Sequence, residues 1–234
     1  MLSGALMEDA PEDDASDLDA LIRRVDPDRW ISSRFIADAQ ARADVIALYA
    51  FDHELARAPK VASNPLIGEI RLTWWREVLD EVFEGRAVRR HPTAEALADV
   101  IRRRGLARDP LESLIDGRYR ELDALPMDEK DALAWARDTG GLAAEIVAGI
   151  LAPGTDVAAA RAAGSAWSLF RKAADAPALK PVADRALMAA RGAVKRLPAK
   201  AFPAVAHVAL AGQRGGSELA KRLKVTVAVA RGRI

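Results

Sequence analysis

No part of this chain sustains the apolar–polar alternation that a half-buried strand requires; the nearest approach, Val225–Thr226–Val227, is three residues long. From Asp17 onward, alanine- and arginine-rich segments follow one another, divided by proline and glycine at positions that start and stop helices. Asn64–Pro65 supplies an N-cap followed by a proline whose missing N–H costs nothing at the first helical position. Asp109–Pro110 repeats that start, His91–Pro92–Thr93 opens another helix, and Gly85 and Gly105 are the expected stops. Pro153–Gly154–Thr155 breaks the chain ahead of a helix that Thr155 or Asp156 can cap. These signals predict helices over about 17–26, 38–58, 65–84, 92–104, 110–123, 129–151, 156–173, 182–196, 200–211 and 217–230. Within them apolar residues recur at helical spacing, as in Val45, Leu48, Tyr49 and Leu55, with Asp52 interrupting the stripe. The expected fold class is all-α, a single-domain helical bundle over 17–234 preceded by a disordered acidic tail over 1–16.

Composition narrows the chemistry. Half of the 234 residues are hydrophobic, enough for a substantial core. With 35 Lys+Arg against 34 Asp+Glu, the chain lacks the charge excess of a nucleic-acid binder. Zero cysteines exclude disulfides, thiolate metal sites and a cysteine nucleophile, and three scattered histidines do not form a His-rich metal site. No apolar run reaches the roughly 18–20 residues of a transmembrane helix. Glu8, Asp9, Glu12, Asp13 and Asp14 suit neither a secretory signal nor a mitochondrial presequence, so a cytoplasmic location is expected, peripheral at the inner membrane at most. Phosphate loop, dinucleotide fingerprint and His-Glu-x-x-His helix are all missing, and neither Ser165 nor Ser168 has a histidine nearby in sequence.

Several segments, in order, resemble one family. Residues 29–60 contain Ala47-Leu-Tyr-Ala-Phe51; Leu72-Thr-Trp-Trp-Arg-Glu-Val-Leu79 follows, then Gly85 and His91–Pro92. After these come Leu114-Ile-Asp-Gly-Arg-Tyr-Arg-Glu-Leu-Asp123 and the Trp135–Gly141 stretch. Together they resemble the squalene and phytoene synthases over roughly residues 20–215. The resemblance implies the isoprenoid synthase fold with a central cavity. It also implies two acidic clusters on facing helices, where carboxylates one turn apart would hold magnesium ions against a diphosphate.

Both clusters are degenerate here. The first falls on His53, Glu54, Ala56, Arg57 and Lys60, the second on Arg171, Lys172 and Asp175, with Ala176 replacing an acid. Cations a few ångströms apart repel by about 1–4 kcal/mol, the reverse of what a metal site needs. Catalytic residues and metal ligands are accordingly expected to be absent. Phe51-Asp-His-Glu-Leu-Ala56, Trp75-Arg-Glu-Val78 and Pro198-Ala-Lys-Ala-Phe-Pro-Ala204 resemble the non-catalytic branch of the family that serves in assembly of respiratory complex I. That likeness implies a cofactor-free scaffold whose partner is a complex I subunit or assembly intermediate, with no nucleic acid involved. Tyr49, Trp75, Glu121 and Phe202 are candidates for a cavity wall or a partner contact.

Two alternatives stay open. One is a divergent magnesium-dependent prenyl transferase acting on farnesyl or geranylgeranyl diphosphate, using Asp52, Glu54, Glu121 and Asp175. The other is a prenyl- or lipid-binding protein that holds a phosphate head through Arg57, Lys60, Arg171 and Lys172. Among lesser readings, Glu112 and Asp116, one turn apart, suggest a cation site, and Arg102, Arg103 and Arg104 an acidic-lipid contact or a solvated helix end favoured by the macrodipole.

Overall fold

The computed structural model describes residues 17–60, 64–212 and 215–234, and among these every regular element is helical. The expected tail over 1–16 lies outside the described residues. Helix α1, Leu18–Val25, is opened by the Asp17 carboxylate, which accepts from the backbone N–H groups of Asp19 and Ala20. Asp26 then does two things. Its N–H closes α1 on the Ile22 carbonyl, and its carboxylate accepts from the Arg29 N–H to open α2, Pro27–Ser33. Helix α2 departs from expectation, because seven residues give too few turns to display a period and Asp26–Pro27 also reads as a stop.

Helix α3, Ala39–Lys60, is the centre of the molecule. From Asp44 through Asp52 every residue is buried, as befits a helix enclosed on all sides rather than along one stripe. Around it pack α1, α4 (Pro65–Phe83), α5 (Pro92–Arg104), α6 (Arg108–Tyr119) and α8 (Leu142–Leu151). Asn64 caps α4 by accepting from the Leu66 N–H, and Gly85 and Gly105 adopt the left-handed backbone at the predicted stops. Helix α6 begins two residues earlier than expected. Ala107 stands at its N-cap, and Pro110 falls within the first turn, where no N–H is needed.

The predicted helix over 129–151 is continuous but contains a π-helical turn. It comprises α7 (Glu129–Ala136), a π-helical turn at Arg137–Gly141, and α8. The turn brings the backbone of Gly140 against α9, Ala158–Asp175, where a Cβ added to Gly164 would lie 2.1 Å from the Gly140 carbonyl oxygen. Only glycine permits that crossing. Helix α10, Lys180–Ala193, lies along α9, and residues from α7, α9 and α10 form a second, smaller apolar cluster around Ala132, Leu169 and Val182.

The helix expected over 200–211 is instead a pair of 3₁₀ turns, Ala199–Ala204 and Ala206–Leu210, since Pro203 cannot donate into an α-helical ladder. Phe202 is buried there. These turns reach back to the start of the fold: the buried Ser32 Oγ donates to the Pro203 carbonyl at 2.7 Å and accepts from the His207 N–H at 3.2 Å. Helix α11, Glu218–Arg231, lies against α2 and the second turn, and Val225–Thr226–Val227 is helical within it.

Candidate functional site

A cavity of about 380 Å³ opens between the first two helices, α3, α6 and α9. That volume is within the roughly 300–1,000 Å³ range of small-ligand sites. Four carboxylates (Asp26, Asp52, Glu121, Asp175) and five cations (Arg29, Lys60, Arg118, Arg171, Lys172) line it, with His53, Trp135, Trp167 and Ser168 completing much of the wall. The helical repeat of α3 places Asp52, Ala56 and Lys60 on the cavity side, and that of α9 places Trp167, Ser168, Arg171 and Asp175 opposite.

The buried carboxylates are already engaged. Arg29 Nη1 donates to Asp52 Oδ2 at 2.5 Å, and Arg118 Nη2 donates to Asp52 Oδ1 at 2.6 Å, so one guanidinium holds each oxygen. Arg118 Nη1 also donates to Glu121 Oε1 at 2.9 Å, an oxygen shared with Trp135 Nε1 at 3.0 Å. Arg171 Nη1 reaches Asp26 Oδ2 at 2.8 Å.

Burial by itself would raise the Asp52 pKa. Arg118 and Arg29 outweigh it and hold the carboxyl well below the ordinary range. At Asp26 burial is likewise overcome, chiefly by Arg29 and then Arg171. Burial pushes the Tyr49 phenol up, although Arg29 lies 5.2 Å from its ring. Burial also pushes His207 down to about 3, so its imidazole is neutral near pH 7, and burial lowers His53 as well.

Such donors do not fit magnesium, whose ligands are oxygens free to face the ion. Each oxygen of Asp52 is taken by an arginine, and no group of three His, Asp or Glu residues is placed to hold a metal among the described residues. Two buried donors in the wall, Trp167 Nε1 and Arg118 Nε, have no hydrogen-bond partner among the described residues. Lys60 and Lys172 make no ion pair among those residues either, and Lys172 instead sits 5.6 Å over the Trp135 ring.

Of the sequence candidates, His53, Lys60, Glu121, Arg171, Lys172 and Asp175 meet in this cavity. Glu54 and Arg57 pair with each other at 2.9 Å outside it. Tyr49, Trp75 and Phe202 are core residues, Tyr49 beneath Arg29 and Trp75 edge-on to Phe51 and Trp74. Glu112 and Asp116 are taken by Arg108 and Arg76 rather than sharing a cation, and Arg103 and Arg104 close on the buried Asp44. Asp26, Arg29 and Arg118 were not singled out by sequence. The first two ride on the unexpected α2, and nothing local distinguishes Arg118 from the other arginines.

The helical bundle and its central polar cavity define an isoprenoid synthase-like protein. The chain belongs to the squalene/phytoene synthase family, whose sequence model matches residues 22–179. Over 103 residues, 44% of this chain, it is 30% identical to NADH dehydrogenase (ubiquinone) complex I, assembly factor 6, of Bos taurus. It is 28% identical to the Homo sapiens protein of that name and 29% to that of Rattus norvegicus. The matched stretch spans 30% of the length of each relative. No helix among the described residues is long and apolar enough to cross a membrane.

Proposed function

We propose that this chain works by binding rather than by catalysis, as an assembly factor for respiratory complex I, with a subunit or assembly intermediate of that complex as its partner. The observation that carries the reading is the double clasp on Asp52. In the transferase alternative Asp52 would have to face a metal ion, and here arginines occupy both its oxygens. The likeness to complex I assembly factor 6 supports the choice of partner. On this reading the protein needs no cofactor and acts in the cytoplasm, and magnesium enters only if the transferase alternative holds.

Two measurements test the proposal. Farnesyl and geranylgeranyl diphosphate are offered with and without magnesium beside an active squalene synthase, and no diphosphate release is expected. Magnesium-dependent release with a condensed hydrocarbon product overturns the silent-scaffold reading. Deleting the gene is expected to lower the amount of assembled NADH dehydrogenase on native gels, and an unchanged amount overturns the assembly role.

A second reading is favoured by Lys60, Lys172 and the two unpartnered donors of Trp167 and Arg118: the cavity holds a phosphate head without metal. Its wall, crowded with charge, suits a small anion better than a prenyl chain. Inorganic pyrophosphate binding by calorimetry in the presence of EDTA, weakened in Lys172→Ala, is the expected result of that arrangement.

A further inference from the structure

Helix α11 carries an apolar face that the rest of the described fold leaves uncovered. Leu219 is 77% exposed, Leu223 64% and Val227 39%, and the four-residue spacing stacks them into one stripe that the exposed Ala220 and Ala230 widen. The opposite face, with Val225 and Ala228, is the one that packs on the protein, and there Lys221 turns inward to Asp28 at 2.8 Å. At about 100° per residue, Lys224 and Arg231 border the stripe on one side and Arg222 on the other, and the left-handed backbone of Gly232 ends the helix before Arg233. Glu218 is the single acid of the segment; it pairs with Arg222 on the surface, where such pairs exchange readily with other partners.

A second exposed apolar group, Leu66, Ile67 and Ile70 on α4, makes the contrast. Its neighbours Glu69 and Arg71 balance in charge, so nothing there selects a partner by sign. On α11, apolar side chains stand between Lys224 and Arg231 on one edge and Arg222 on the other. That arrangement matches the interface of an anionic bilayer, with leucines in the acyl boundary and cations at the phosphates.

We propose that α11 is a membrane-surface helix that docks this protein on anionic phospholipid. The inference stands apart from the assembly reading, since it rests on a face remote in composition from the cavity. Each cation near such a surface contributes roughly a fivefold factor in binding, and the contribution is screened by salt.

The test is co-sedimentation of the full chain with phosphatidylcholine vesicles, with and without phosphatidylglycerol. Binding is expected to the anionic vesicles only, to fall as salt rises, and to drop roughly tenfold or more in Leu219→Asp/Leu223→Asp and in Lys224→Glu/Arg231→Glu. Leu66→Asp/Ile70→Asp is expected to bind as the wild type does. Thermal melts report the fold of each variant, and the charge-reversal variant, which leaves the leucines in place, carries the test should the aspartates disturb it. No sedimentation with either vesicle overturns the proposal, and so does binding that survives both α11 variants. Self-association that Leu219→Asp/Leu223→Asp abolishes, without vesicle binding, overturns it in favour of a contact between copies of this chain.

Discussion

Helix α3 carries two buried aspartates eight residues apart, each held by a pair of arginines, and the two clasps are built differently. At Asp44 the arginines are neighbours on α5: Arg104 Nε donates at 2.6 Å, Arg103 donates beside it, and Gln40 adds a bond at 3.1 Å. Both guanidinium groups are part-exposed. At Asp52 the arginines come from separate elements, Arg29 from α2 and Arg118 from α6, and both are buried. One clasp ties a single helix end to the core and shares its charge with water. The other joins three elements beside a cavity, and its side chains are buried. The comparison teaches that acid–arginine pairing identifies no role; which elements are bridged, and how dry the bridge is, decides it.

The sharpest way to break the comparison is to remove each acid in turn. Asp52→Ala takes the shared carboxylate from two buried guanidinium groups, leaving Arg118 with Glu121 and Arg29 with Asp26 at 3.8 Å, and is expected to cost about 3–5 kcal/mol in urea denaturation. Wild-type stability in that variant would mean that Asp52 is held in place for a ligand and not for the fold. The dryness of the region can be read through His207, which shares the electrostatic environment of Arg29 and Asp26. Its folded pKa is about 3 against 6.5 in the unfolded chain, so the unfolded state binds the extra proton between those values. Stability is therefore expected to fall as pH drops from about 6.5 towards 3, by up to about 1.4 kcal/mol per pH unit from this group. His207→Phe, which keeps the edge-on packing against Trp167, is expected to flatten that part of a stability–pH curve.

Asp44→Ala is expected to cost less than Asp52→Ala, about 1–2 kcal/mol, because Arg103 and Arg104 return to solvent. The smallest effect separates the clasps by screening: molar salt is expected to shrink the Asp44→Ala cost by a few tenths of a kcal/mol and leave the Asp52→Ala cost unchanged.

Helix starts and stops were written locally, which is why Asn64, Gly85 and Gly105 act where the sequence places them. The π turn at Arg137–Gly141 left no such mark, since it serves a crossing partner, Gly164, that is distant in sequence. The cavity was half legible. Motif spacing brought Lys60, Glu121, Arg171, Lys172 and Asp175 to one place. Asp52 read as a flaw in an apolar stripe and, in the transferase alternative, as one carboxylate of a metal site; neither reading showed its clasp, because the arginines that form it arrive from α2 and α6. The exposed stripe of α11 was equally silent: Leu219, Leu223 and Val227 have the spacing of core residues, and only the packed fold shows which face turned inward.

The hydroxyl of Ser32 has a consequence for how the chain is made. It is satisfied by the Pro203 carbonyl, 171 residues later, and it receives the N–H of His207. During synthesis from the amino terminus, α2 therefore emerges long before its permanent neighbour exists. Until the two 3₁₀ turns leave the ribosome, Ser32 and the corner at Asp26 stay open to water, and the first helices can form but not set. Closure of such distant contacts is slow. The last quarter of the chain is thus the keystone of its first, and a ribosome stalled before Pro203 would carry a bundle with its founding corner unsealed.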